Sequence, residues 1–121
     1  MLSWIREHLK TMDCNEITLR KIELACEEAL VNIIEHAYKD NAGKLCISLR
    51  QPQNTVIELI LRDEGPPFNP IEQQLSLNPM ATLHERKIGG LGILFMRQYM
   101  DEIQYRRENN TNILTLIKYR N

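Results

Sequence analysis

From about residue 16 to residue 38, apolar side chains recur at helical spacing, and no glycine or proline interrupts them. At 100° per residue, Ile22, Cys26, Ala29, Leu30, Ile33, Ile34 and Ala37 share one broad arc, which predicts the face turned to a core. Glu28, Asn32, Glu35 and His36 form an adjoining stripe, so these polar residues are expected to border a sheet. Asn15 stands where its side chain can accept from the unpaired N–H groups of the first turn. A shorter helix is expected over 3–11, anchored by Trp4, Ile5 and Leu9 and broken by Met12-Asp13-Cys14-Asn15.

The period then changes to two. Asp40-Asn41-Ala42-Gly43 reads as a turn, and Leu45, Ile47 and Leu49 alternate through a strand over 44–50. Gln51-Pro52-Gln53-Asn54 reads as a hairpin-type turn into a second strand over 55–61. That strand runs into Arg62-Asp63-Glu64-Gly65-Pro66-Pro67-Phe68, where glycine and two prolines stop it abruptly. Residues 71–84 suggest a short helix and an irregular segment. A helix is expected over 91–100. Two strands, 102–108 and 112–119, follow, joined by Asn109-Asn110-Thr111. The order helix, helix, strand, strand, lid segment, helix, strand, strand predicts an α+β two-layer sandwich, with helices on one face of a mainly antiparallel mixed sheet.

Composition narrows the class without naming a function. The chain has 121 residues, with 43% hydrophobic and 26% charged, as expected for one globular domain over 1–121. Fifteen basic against sixteen acidic residues leave a net charge of −1, so no broad basic field points to direct nucleic-acid binding. No apolar run approaches the roughly 20 residues of a membrane span. Charges interrupt the start, so it does not read as a secretory signal. Cys14, Cys26 and Cys46 are odd in number and far apart. They are expected to be reduced, mostly buried thiols of a cytoplasmic protein.

Three stretches carry candidate chemistry. Glu28, Asn32 and His36 lie on successive turns of one helix face. An amide oxygen can ligate Mg2+, and a carboxylate one turn away can take a proton from an attacking hydroxyl. Asp63 at a strand end can accept from an exocyclic amine such as N6 of adenine, and Gly65 lets a base approach the backbone. Gly89-Gly90-Leu91-Gly92 before a helix lets main-chain N–H groups approach phosphates. Each alone has a plainer reading: a hydrated helix face, a turn-initiating aspartate, a tightly packed turn.

Taken together and in this order, Glu28-x-x-x-Asn32-x-x-x-His36, Asp63-x-Gly65-x-Pro67-Phe68 and Gly89-Gly90-Leu91-Gly92-Ile93 resemble the N box and the two glycine boxes of the GHKL ATPases. The last third, 85–94 through 112–118, is similar to the anti-sigma-factor serine kinases of the RsbW and SpoIIAB type. The resemblance implies the Bergerat fold with ATP and Mg2+ as cofactors. It implies Glu28 as general base and Asn32 as metal ligand. It implies Asp63 and Gly65 at the adenine, and Gly89, Gly90, Leu91 and Gly92 at the phosphates. It also implies His36 near the phosphates and Lys87 or Arg86 as the charge offsetting the γ-phosphate. Asn112 falls near the family's adenine-pocket threonine. The implied partners are a sigma factor and an anti-anti-sigma protein of the STAS type.

The sequence departs from this family in two places. Pro67 stands where well-studied members carry a second glycine, and the chain starts inside the first helix, so the strand that usually precedes it is expected to be lacking, through a shortened start or a sheet closed by a partner. A sheet edge exposed in this way favours a homodimer. A nucleotide-dependent switch that binds a sigma factor without turnover is the alternative function. A histidine-phosphorylating reading is weaker, because His8 is the one histidine upstream of the N box.

Overall fold

A computed structural model describes residues 2–36, 44–69 and 91–120. Helix α1 spans Leu2–Thr11 and helix α2 spans Glu16–His36. Strands β1 (Leu45–Gln53) and β2 (Val56–Asp63) follow, then helix α3 (Leu91–Tyr99) and strands β3 (Glu102–Glu108) and β4 (Thr111–Tyr119). The strands form one sheet in the order β1-β2-β4-β3, and each of its three pairings is antiparallel.

Local chemistry sets the boundaries. Asn15 Oδ1 accepts from Thr18 N at 2.8 Å, and Asn15 O accepts the first helical bond from Leu19 N at 2.9 Å. This is the N-cap predicted from sequence. Asp13 ends α1 with φ of 55°, the left-handed step that commonly closes a helix. Arg120 then fastens that turn, with Nη1 donating to the carbonyls of Met12 and Asp13, each at 2.8 Å. Asn109 and Asn110 both have positive φ, 52° and 61°. Such a two-residue turn matches the twist of the flanking strands and fixes the β3–β4 register.

The core lies between the helices and one face of the sheet. Ile57, Leu59 and Leu61 of β2 and Leu114 and Leu116 of β4 point into it at strand period. Against them pack Ile5, Leu9, Leu19, Ile22, Cys26 and Ala29, with Met96 of α3. Burying each large side chain contributes roughly 1.5–3 kcal/mol. Ion pairing ties the helices: Arg6 donates to both oxygens of Glu23, at 2.8 and 3.2 Å, and Glu23 is itself buried.

Four expectations need correction. Ile34 is 56% exposed, because the buried arc of α2 is rotated toward Asn32 and includes Ala25 on that side. Trp4 is 40% exposed and lies tilted against His8, with ring centroids 4.6 Å apart. The cysteines are not mostly buried: Cys26 is, Cys14 is intermediate and Cys46 is exposed. Finally, β1 runs on to Gln53, and the turn is confined to Asn54 and Thr55. Pro52 is tolerated within β1 because this strand pairs on one side and its register shifts between Arg50 and Gln53. The segment 71–84 lies outside the described residues, as do the turn over 40–43 and Ala37.

Candidate functional site

The core-facing pattern changes at one end of the sheet. Along β2 the inward positions are Ile57, Leu59, Leu61 and then Asp63; along β4 they are Leu116, Leu114 and then Asn112. Asp63 and Asn112 are register partners, and both are about 4% exposed. Two polar side chains therefore sit where the apolar lattice would otherwise continue, and such groups must find hydrogen bonds.

They find them in a small network. Asp63 Oδ1 accepts from Gly65 N at 3.0 Å and from Asn112 Nδ2 at 3.0 Å. Asn112 Nδ2 also reaches the carbonyls of Pro66 (2.9 Å) and Gly65 (3.4 Å). The amide oxygen of Asn112 accepts from Tyr105 Oη at 2.5 Å and Arg107 Nη1 at 3.0 Å. Arg107 Nη1 donates in addition to Gly65 O at 2.9 Å. The abrupt turn after β2 is thus tied down by side chains of both β3 and β4.

The facing wall is α2. Asn32 is 6% exposed, and among the described residues its Nδ2 has no hydrogen-bond partner. A narrow cleft of about 20 Å3 lies between the wall and the sheet end, lined by Ala29, Asn32, Ile33, Asp63, Phe68, Tyr105, Asn112 and Leu114. Glu28 stands one turn before Asn32 on the same helix face and is half-buried. Burial, followed by the neighbouring charge of Glu27, pushes the Glu28 carboxyl above the ordinary range.

The predicted site residues therefore divide into three groups. Asn32, Asp63 and Asn112 meet in one cleft, Gly65 lies in the turn beside it, and Glu28 is on the adjoining helix face. His36 closes α2 one turn beyond Asn32, and Leu91 and Gly92 open α3. Arg86, Lys87, Gly89 and Gly90 lie outside the described residues. Tyr105 and Arg107 were not anticipated. The signal for them was present: a two-residue turn at Asn109-Asn110 sets Arg107 opposite Asn112 and puts Tyr105 on the same face.

Over residues 1–118 the chain matches the histidine kinase-like ATPase domain. The chain belongs to that family. This histidine kinase-like ATPase domain is 32% identical to the serine/threonine-protein kinase BtrW of Bordetella bronchiseptica over 98% of its own length and 82% of BtrW. It is 30% identical to the serine-protein kinase RsbW of Bacillus subtilis, over 85% of the chain and 66% of RsbW. The anti-sigma F factor of Priestia megaterium is 32% identical over 84% of the chain and 67% of that protein.

Among solved structures, the catalytic domain of the histidine kinase ThkA matches 84% of the chain, and 67% of its own, with a TM-score of 0.61 at 18% identity. The mycobacterial sensor histidine kinase MprB gives 0.59 at 17%, over 84% of the chain and 71% of its own. These two likenesses bear on the fold alone. The expected GHKL fold and the resemblance to the RsbW kind are both met. Nucleotide binding follows from membership in the family. Among the described residues, no helix is long and apolar enough to cross a membrane.

Proposed function

We propose that this domain is an ATP-binding anti-sigma factor that uses Mg-ATP to phosphorylate a serine of an anti-anti-sigma partner of the STAS type. The observation that carries the reading is the cleft itself. It joins Asn32 of the N box to Asp63 of the first glycine box, 31 positions later, across the helix–sheet boundary.

In this reading Asp63 accepts from the N6 amine of adenine, and the turn at Gly65, held by Asn112, lies under the ring. The cleft has room for about one water. Admitting a purine therefore requires its walls to part, with Phe68, beyond the end of β2, as the aromatic side chain that moves. Glu28, with its raised carboxyl, takes the proton from the serine hydroxyl; a base tuned upward toward neutral pH is the better proton acceptor.

Asn32 fits as the metal ligand. It lines the cleft with a neutral carboxamide whose oxygen can ligate a hard cation, while its nitrogen, which cannot ligate, has no hydrogen-bond partner among the described residues. A bound Mg2+ would supply charge neutralisation at the phosphates. His36, Leu91 and Gly92 border the phosphates in this reading, with Gly89, Gly90 and Lys87 completing their cradle.

The domain acts in the cytoplasm as a homodimer that holds a sigma factor. BtrW and RsbW, kinases by name, and the anti-sigma F factor support the two halves of the proposal. The test is transfer of labelled γ-phosphate from Mg-ATP to a purified STAS-domain protein. Transfer by the wild type and its loss in Glu28→Ala are expected. Retained transfer in that variant removes Glu28 as the base. Tight ATP binding without transfer to any STAS partner, with a sigma factor co-purifying, replaces the kinase by a nucleotide-dependent switch.

A further inference from the structure

We infer that Tyr105 and Arg107 are positioning residues for base selection: they lock the carboxamide of Asn112, so that Asp63 offers a fixed acceptor to a 6-aminopurine and rejects a 6-oxopurine. The inference rests on the adenine reading of Asp63.

The argument begins with the symmetry of a carboxamide. Turned by half a rotation, its O and NH2 exchange places with little change in shape, so only its partners can fix it. Here the partners leave one solution. On the oxygen side stand two donors, Tyr105 Oη and Arg107 Nη1. On the nitrogen side stand the acceptors Asp63 Oδ1, Pro66 O and Gly65 O. The opposite orientation would set the amide oxygen against a carboxylate and two carbonyls, and the NH2 against a guanidinium. Asn112 is buried, so water cannot relieve such clashes.

The consequence reaches Asp63. Held this way, Asn112 donates to Oδ1, as does Gly65 N, and among the described residues both hydrogen bonds to the carboxylate fall on that one oxygen. Oδ2 remains as the acceptor for a ligand. An amine at purine C6 donates to it, whereas an oxo group at C6 meets it oxygen to oxygen. Without Tyr105 Oη and Arg107, the amide oxygen loses both of its donors and the group is held from the nitrogen side alone. Its donor to Oδ1 is then less firmly placed, and the orientation of the carboxylate loosens with it. Arg107 adds a second hold, since the same Nη1 fixes Gly65 O in the turn.

The experiment compares ATP with ITP, which carries oxygen in place of the C6 amine, by titration calorimetry well below the unfolding midpoint. The variants are Tyr105→Phe, Arg107→Met, Asp63→Asn and the control Arg106→Gln, whose side chain is exposed and paired with Glu108. The wild type should prefer ATP by more than about tenfold. Tyr105→Phe, which removes one oxygen and keeps the ring in the cleft, should cut that preference by about fivefold. Arg107→Met should cut it at least as far, and Arg106→Gln should leave it unchanged. A purely structural role for Tyr105 would weaken ATP and ITP equally and leave the ratio in place. A ratio unmoved in both Tyr105→Phe and Arg107→Met, but lost in Asp63→Asn, overturns the positioning role and keeps the adenine reading. A wild type indifferent to the two nucleotides overturns the adenine reading itself.

Discussion

Asp63 and Asn112 face one another across the β2–β4 ladder, and the amide of Asn112 donates to Asp63 Oδ1 at 3.0 Å. The contact joins residues 49 positions apart and occupies one carboxylate oxygen fully, with Gly65 N as the second donor. This division of the two oxygens makes Asp63→Asn a selective change. The substituted amide would keep an oxygen for both internal donors and present NH2 to the ligand. Thermal stability should change little, while ATP affinity falls tenfold or more as donor meets donor. Calorimetric titration and a melting curve on the same sample check both halves. Unchanged ATP affinity would put the base somewhere else.

Asn32 predicts a conflict between stability and function. Its buried Nδ2 lacks a partner among the described residues, and asparagine is a weak helix former. Asn32→Leu, similar in size and apolar, should therefore leave urea stability unchanged or raise it by about 0.5–2 kcal/mol, while phosphoryl transfer is lost. A fall of more than about 1 kcal/mol in the unfolding free energy from urea titration would show that the amide is structural.

The elements were legible because periodicity reports which face is dry. The change from period 3.6 to period 2 near residue 44 and the Asn15 cap each have a local cause, and each is found in the fold; the turn expected over Asn109-Asn110-Thr111 is there too, with Thr111 already in β4. The centre of a buried arc is not local. The arc of α2 takes in Ala25 and Asn32 and leaves out Ile34 because the sheet end and α3 decide which side of the helix is covered. Trp4 is similar: α1 needs two inward positions, and Ile5 and Leu9 fill them completely. In the site, Glu28, Asn32, Asp63 and Gly65 stood out by spacing. Tyr105 and Arg107 look like ordinary strand residues until the register puts them beside Asn112.

The Glu28 carboxyl has a raised folded value, caused first by burial and then by Glu27. Its contribution to stability is fully present below the unfolded value and is lost as pH rises through the folded one. Activity runs the other way, because the base must be ionised. The acid limb of the transfer rate should therefore lie above the ordinary glutamate value, and Glu27→Gln should move it toward acid. A pH–rate profile of the wild type and of Glu27→Gln reads both. A limb at the ordinary value that does not shift in the variant would disconnect Glu28 from the titration.

Burial ranks the three thiols. Burial, then the charge of Glu27, pushes the Cys26 thiol up to about 12, and the residue is fully enclosed; burial also raises Cys14, while Cys46 is exposed on β1. Since the thiolate is the reacting form, a maleimide or aromatic disulfide reagent at neutral pH should label Cys46 first and Cys14 more slowly. Cys26 should react only as the domain unfolds, so its labelling rate tracks the opening of the core beneath α2. Mass spectrometry of partly labelled protein gives the order directly. Labelling of Cys26 ahead of Cys46 in the folded protein would contradict the placement of α2 against the sheet.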